Sequence, residues 1–381
     1  MRLLTLTCEY PPVGGGGATA CRILCEALVR AGHTIDVVTA GMADLPATEE
    51  IGGVRVHRVP GLRRWRHYSN AVEQVSFVLP MYRQAAGLLA RHRHDLCHCH
   101  FVVPTGAVAA ALHHRHGLPY VLTAHGSDVP GYNPDRFAFL HGLIAPAWRH
   151  ILAGAAAVTS PSMFLAGLLD QRMRLDVEVL PNPFELPRSV AAERGRRVLA
   201  VSRLVERKGL QHLIAAMGAL DTDWELMVAG DGPLLPELRR QAAKAGVRAS
   251  FLGFVPREEL AGLYAGAGLF VMPSLRENFP MVLLEAMAAG CAVVSTDAEG
   301  CAEVVGNAAR LVPAGDVPAL GRAIETLSRD PAHRQELGRE AQRRARSFGA
   351  DEVAGRFAAL FARCLGARGQ EQAAVRSTLH G

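Results

Sequence analysis

The run Pro273-Ser274-Leu275-Arg276-Glu277-Asn278-Phe279-Pro280-Met281-Val282-Leu283-Leu284-Glu285-Ala286-Met287 follows the apolar, β-rich stretch Leu269 to Pro273 and leads into a helical pattern. Strand, polar loop and helix in that order make one βα unit, and the unit recurs on both sides. Toward the C-terminus, strands are predicted at Ala292 to Thr296 and Arg310 to Val312; toward the N-terminus, at Ala249 to Leu252, Glu225 to Ala229 and Val198 to Ser202. The first half repeats the pattern, with strands at Arg2 to Thr7, Thr34 to Ala40, Val54 to Pro60, Asp95 to His100, Tyr120 to Ala124, Ala156 to Ser160 and Val177 to Leu180. Strands alternating with helices wind parallel sheets, so the chain is predicted to be α/β, with two doubly wound parallel-sheet domains. The break falls at Pro181 to Arg197, where Pro181, Pro183, Pro187 and Arg194-Gly195-Arg196-Arg197 precede a fresh strand. The reading gives domains over 1–187 and 188–349, a terminal helix over 350–365 and a polar, flexible tail over 366–381.

Length and composition agree. A chain of 381 residues exceeds one ordinary core, and 49% hydrophobic with 20% charged residues excludes wholesale disorder. No run approaches the roughly 18 apolar residues of a membrane helix. Met1 to Glu9 reads as a first buried strand rather than a signal peptide, so a cytoplasmic location is expected. The eight cysteines lack the spacing of a disulfide framework and are read as reduced, buried thiols. The net charge of +5 is mild, and no nucleic-acid-binding motif accompanies it. It is uneven: Arg63, Arg64, Arg66 and His67 surround Trp65 and Tyr68. That cluster is either a solvated loop or a contact for an anionic membrane surface or acidic acceptor.

Open α/β sheets bind ligands beyond the carboxyl ends of their strands, and two in tandem imply a cleft, so the chemistry is sought in those loops. After the first strand comes Gly14-Gly15-Gly16-Gly17, opening a helix: a phosphate cradle or a mobile turn. The fifth strand delivers Thr123-Ala124-His125-Gly126-Ser127-Asp128, a hydrogen-bonding set at a strand end, and His100 ends the strand before it. In the second half Arg203 closes a strand and Lys208 follows five residues later, one of only two lysines among 41 cationic residues. Two cations at a strand end suit a diphosphate. Glu277 lies in the loop of the opening segment and Glu285 eight positions on, in its helix; both carboxylates accept from hydroxyls. The backbone N–H groups over Asn278 to Met281 fall at a helix start suited to phosphate. A carboxylate pair for acid/base hydrolysis is the competing reading, against which the surrounding cations and glycines favour a phosphorylated donor.

These motifs together resemble the family 4 retaining glycosyltransferases of the GT-B fold, over nearly the whole chain. The resemblance is carried by Gly15-Gly16, His125-Gly126-Ser127-Asp128, Arg203 with Lys208, Gly230-Asp231-Gly232-Pro233, and Glu277 with Glu285 and the continuation Ala288-Ala289-Gly290. It implies two Rossmann-like domains facing across a cleft, the second holding a nucleoside diphosphate sugar and the first an acceptor, with the anomeric configuration kept. By the family pattern Arg203 and Lys208 hold the diphosphate, Glu285 the ribose, and Glu277 hydroxyls of the transferred sugar. Gly15, Gly16 and Asn278, Phe279, Pro280 and Met281 join the donor site, and the base lies against backbone near Phe254 and Val255. His125 and Glu277 take the catalytic places, with His100, Ser127 and Asp128 on the acceptor side. No metal or cofactor is expected, since cations and a helix dipole replace it. The terminal helix is expected to cross back to the first domain. Asn278-Phe279-Pro280 stands where the family commonly has Gly-Phe-Gly, and Pro181-Asn182-Pro183-Phe184 where it has Pro-Asn-Gly.

His92, His94, Cys97, His98, Cys99 and His100 look like a metal tract. In a strand, however, His98 and His100 share one face and Cys97 and Cys99 the other, so they do not converge. Expected partners are a nucleotide-sugar donor, a sugar, lipid-linked or small-molecule acceptor for polysaccharide or glycolipid synthesis, and a peripheral membrane contact; nucleic acid is excluded. A nucleotide-sugar epimerase or hydrolase of the same fold, and a non-catalytic nucleotide-sugar binding protein, are the rival functions.

Overall fold

The computed structural model describes the backbone of residues 1–66, 69–126, 128–132, 145–185 and 193–378, and their side chains except at 172–173, 257–258 and 368–378. Strands are β1 (Arg2–Thr7), β2 (Thr34–Ala40), β3 (Thr48–Ile51), β4 (Val54–Val59), β5 (Leu96–His100), β6 (Tyr120–Thr123), β7 (Ala157–Ser160), β8 (Val177–Val179), β9 (Arg197–Val201), β10 (Glu225–Ala229), β11 (Ala249–Gly253), β12 (Leu269–Met272), β13 (Ala292–Thr296) and β14 (Arg310–Val312). They form two sheets, in the orders β3-β4-β2-β1-β5-β6-β7-β8 and β11-β10-β9-β12-β13-β14. Every pairing is parallel except β3 with β4. The chain divides into an N-terminal unit, Met1–Pro183 with Ala350–Gly381, and a C-terminal unit, Phe184–Gly349.

In the N-terminal unit, period-2 alternation sends Leu4, Leu6, Cys97 and Cys99 into one core with the helices Val78–Arg91, Thr105–His116 and Met163–Met173. It sends Leu3, Leu96 and Val121 into a second core beneath the helices Gly16–Arg30 and Ala350–Thr378. Both faces of the sheet are covered, as a largely parallel sheet requires. The terminal helix is tied to the first one by Phe357 and Phe361 packing and by an Arg30–Asp351 ion pair at 2.8 Å. The C-terminal unit also has a core on each face of its sheet.

Three expectations are corrected. The division falls after Pro183 rather than after residue 187, because Phe184 is buried in the C-terminal unit and its N–H bonds the carbonyl of Phe348. Strand β3 is an addition: Thr48-Glu49-Glu50-Ile51 is polar, but Gly52-Gly53, both with positive φ, closes a two-residue hairpin onto β4. The terminal helix runs to Thr378 instead of ending at 365. Its Gln, Glu and Ala residues are good helix formers despite their polarity, and 379–381 lie outside the described residues.

Candidate active site

In the C-terminal unit the chain order of the strands reverses between β9 and β12. That is the switch point at which the loops after two adjacent strands part and leave a crevice. The loop after β9 carries Arg203 and the 3-10 turn Glu206–Lys208; the loop after β12 carries Ser274 to Glu277. The two loops are zipped together, Leu275 N–H donating to the Arg207 carbonyl at 2.8 Å. Gly209 allows this approach: its φ is +68°, and a Cβ there would lie 1.9 Å from the Pro273 carbonyl oxygen. As a result Lys208 Nζ donates directly to Glu277 Oε1, which also accepts from Ser274 Oγ at 2.9 Å. Both side chains of this ion pair are largely buried. Arg203 is exposed at the mouth of the same loop.

The helix Met281–Ala288 starts three residues beyond Asn278, and the first N–H groups of a helix have no intrahelical partner. Pro280 is its N-cap and has no N–H, so the donors over Asn278 to Met281 are one fewer than that span suggests; Pro280 instead accepts from Leu283 N–H at 3.1 Å. The Phe279 ring packs into the core against Phe348, 5.8 Å between centroids, and Met281 is buried beside it, so both residues offer backbone rather than side chain. Glu285 lies on this helix and is held by the Tyr264 hydroxyl at 2.9 Å. Val255 follows the edge strand β11 and is half-buried, next to an exposed Phe254.

The sequence reading missed Tyr264, Ser274, Glu299 and Gly300. Glu299 accepts from Glu277 N–H at 3.4 Å, and Gly300 N–H donates to the Glu277 carbonyl at 3.1 Å. A Cβ at Gly300 would fall 1.5 Å from the Asn278 carbonyl oxygen, so the start of the helix Glu299–Val305 is pressed against the Glu277 loop. The available signal was position: Glu299 and Gly300 follow β13, a third strand ending on the same edge of the sheet.

In the N-terminal unit the switch point lies between β1 and β5. Gly15 is the N-cap of the helix Gly16–Arg30, and that helix has no acidic residue in its first turn. A Cβ at Gly17 would be 3.4 Å from His125 Nδ1, whereas one at Gly15 would meet nothing within 4 Å. His100 is buried at the end of β5, and its Nδ1 is 2.9 Å from His125 Nε2. Burial pushes the His125 pKa down to about 4 and that of His100 well below the usual histidine range. Asp128 is buried, and its oxygens accept from the N–H groups of Val102, His125 and Gly126 at 2.7 to 3.0 Å. Its carboxylate therefore shapes the His125 loop. Burial raises its pKa, with the backbone donors opposing. Ser127 lies outside the described residues.

Among the described residues no group of three or more His, Cys, Asp or Glu side chains is placed to hold a metal ion. The tract from His92 to His100 disperses: His94 bonds Asp36, His98 bonds Thr123, and Cys97 and Cys99 enter the opposite core.

Residues 183–344 match the family model of the glycosyl transferases group 1, and residues 14–188 that of glycosyltransferase family 4. The chain is 30% identical over 329 residues to an uncharacterized glycosyltransferase of Methanocaldococcus jannaschii, covering 80% of this chain and 83% of that one. It belongs to the family 4 glycosyltransferases of the GT-B fold. A 2-deoxystreptamine glucosyltransferase of Streptomyces kanamyceticus is 28% identical, covering 90% of this chain and 97% of that one. The solved sucrose-phosphate synthase of Thermosynechococcus elongatus shares the fold, with a TM-score of 0.82, 24% identity, and coverage of 96% and 100%. In this glycosyltransferase the boundary between the two family matches, 183–188, coincides with the linker and with the division at Pro183.

Proposed function

We propose that the protein is a retaining, metal-independent glycosyltransferase that moves a hexosyl group from a nucleoside diphosphate sugar to an acceptor hydroxyl. The observation that carries this reading is the meeting of Lys208 and Glu277 at the switch point of the second sheet. One site there offers a cation for a diphosphate, a carboxylate for sugar hydroxyls and the start of a helix for phosphate oxygens. When the bond between sugar and diphosphate breaks, negative charge grows on the departing phosphate; Lys208, Arg203 and the helix Met281–Ala288 stabilise it without reorganising. Glu285, steadied by Tyr264, takes the ribose hydroxyls, and the base lies against the backbone at Val255. His125 takes a catalytic place, and the Gly15-Gly16 turn joins the donor site. Transfer of glucose by a relative sharing 28% identity supports the hexosyl class.

The test is product analysis. Purified protein is incubated with a panel of UDP-, GDP-, ADP- and TDP-sugars and candidate acceptors, and the anomeric configuration of the product is read by NMR. Acceptor-dependent release of one diphosphate with retention is expected; inversion, sugar epimerisation without acceptor, or donor binding with no turnover overturns it.

A specific observation favours an acceptor presented at a membrane. Leu62, Trp65, Val72, Val75 and Leu79 are each more than half exposed, with Val72 and Val75 on the helix Ala71–Ser76 and Leu79 at the start of the helix Val78–Arg91. Leu62 is joined to that helical stretch by its N–H on Ser76 Oγ at 2.9 Å. Arg63 and Arg66 are occupied by Glu9 and Asp44, leaving Arg64 and Arg83 exposed beside the patch. His67 and Tyr68 lie outside the described residues, and no helix among the described residues is long and apolar enough to cross a membrane. Co-sedimentation with phosphatidylglycerol vesicles, lost in Val72→Ser/Val75→Ser/Leu79→Ser, is expected; indifference to vesicles sinks this part.

A further inference from the structure

Strand β5 places His98 and His100 on one face, and the parallel register sets His100 opposite Thr123 at the end of β6. His98 Nε2 meets Thr123 Oγ1 at 2.8 Å, and its ring packs on Phe357 and Phe361 of the terminal helix. The His98 and His100 rings are 4.3 Å apart, and the His100 ring stacks on that of His125 at 5.2 Å and 17°. Three imidazoles thus form a column from the core to the strand ends. Burial lowers the pKa of each, His98 to about 3 and His125 to about 4, so all three are neutral at pH 7.

A neutral imidazole has one N–H and one lone pair, so the 2.9 Å contact between His100 Nδ1 and His125 Nε2 has two forms. In one, His125 donates from Nε2, and His100 must then carry its own proton on Nε2. That atom is buried and has no partner among the described residues. In the other, His100 donates from Nδ1 and only a lone pair is left unmatched. Buried N–H groups without partners are rarer than unmatched acceptors.

We propose that His100 is a positioning residue that fixes the tautomer of His125: His100 Nδ1–H donates to His125 Nε2, so that His125 carries its proton on Nδ1, the atom beside Gly17. This rests on the reading of His125 as a glycosyltransferase site residue. Its consequence is that His125 presents a hydrogen-bond donor, next to the start of the helix Gly16–Arg30, to an oxygen of the ligand. It is not a base that takes the acceptor's proton, and Phe101, whose ring lies 4.6 Å from that of His125, closes the imidazole from another side.

The protein selectively labelled with 15N-histidine is examined at pH 7 by long-range proton–nitrogen correlation, with His100 and His125 assigned by substitution. His125 protonated on Nδ1 is the expected result; His125 protonated on Nε2 overturns the inference whatever the enzyme's activity. His100→Leu is expected to release His125 into a mixture of tautomers, and His100→Asn, whose amide N–H lies near the place of Nδ1, to keep the Nδ1–H form. If His100→Leu does not fold, the wild-type and His100→Asn spectra decide. In turnover, His125→Asn, which sets an amide N–H near Nδ1, is expected to stay within about tenfold of wild type, and His125→Gln to fall at least tenfold further; the reverse order contradicts the inference. A protein with the expected tautomer and no glycosyl transfer leaves this inference standing and fails the proposed function alone.

Discussion

Gly300→Ala is a severe test of how the donor loop is held. The added Cβ would sit 1.5 Å from the Asn278 carbonyl oxygen, whereas ordinary contact is roughly 3.5 Å, so helix and loop must part by about 2 Å. Neither side yields cheaply. The obstruction is backbone, and Gly300 N–H is bonded to the Glu277 carbonyl at 3.1 Å. Overpacking costs about 1–3 kcal/mol, and a displacement this large belongs at the upper end. For a unit of this size about 3 kcal/mol lowers Tm by roughly 6–12 °C. Because the displaced loop carries Glu277 and Asn278, turnover is expected to fall at least a hundredfold, the scale of a misplacement of about 1 Å. Calorimetry and turnover are compared with Gly355→Ala, an exposed helix glycine whose Cβ meets nothing within 4 Å, where a gain of up to about 1 kcal/mol is expected. A Gly300→Ala protein that melts within about 1 °C of wild type with full turnover refutes the close packing and the positioning assigned to it.

Other outcomes follow from the same geometry. Glu277→Gln keeps the Ser274 contact but loses the charge facing Lys208, so turnover is expected to drop at least a hundredfold while diphosphate affinity moves less than about threefold; unchanged turnover removes Glu277 from the chemistry. Tyr264→Phe deletes the hydroxyl on Glu285 and is expected to weaken nucleotide binding about three- to tenfold in titration calorimetry, with kcat nearly kept, in line with a net hydrogen bond of about 1 kcal/mol. Stability is expected to fall in two pH windows. His98, His100 and His125 have folded pKa values below the unfolded value near 6.5, so the unfolded chain binds more protons and Tm declines as pH drops from about 6.5 toward 4; His98→Phe should flatten that slope. Asp36 is held well below the carboxylate range by His57, His94 and Arg2 despite its burial. Its stabilisation is therefore present above the unfolded pKa near 4 and lost below it, and Asp36→Asn should flatten only this lower window.

Most of the architecture was legible because buried parallel strands announce themselves. β1, β2, β10, β13 and β14 match the sequence reading residue for residue, and β1, β2 and β13 are almost wholly buried runs. β3 escaped because an edge strand exposed to solvent carries no such pattern, and the two glycines after it were its only sign. The end of the terminal helix was misplaced because polarity was read as disorder where helix propensity prevailed. In the site, Arg203, Lys208, Glu277 and Glu285 were legible as charges at strand and helix ends. The direct Lys208–Glu277 contact was not, since it depends on two loops 69 residues apart closing over Gly209. Tyr264 was hidden for the same reason: its hydroxyl reaches Glu285 from a helix that reads, locally, as ordinary core. The backbone bonds of Asp128 to its own loop and to Val102 were not legible either, because they depend on two strand-end loops meeting.

The proposed function requires the loops after β9 and β12 to bind a nucleoside diphosphate through Lys208. Thermal denaturation of wild type and Lys208→Ala with UDP, GDP, ADP, TDP and CMP addresses it directly. A diphosphate at about a hundred times its Kd adds about 2.7 kcal/mol of stability, a rise of several degrees in Tm. One diphosphate is expected to raise the wild-type Tm and Lys208→Ala to lose the response; a wild type indifferent to every diphosphate, or a variant that responds equally, contradicts binding through Lys208.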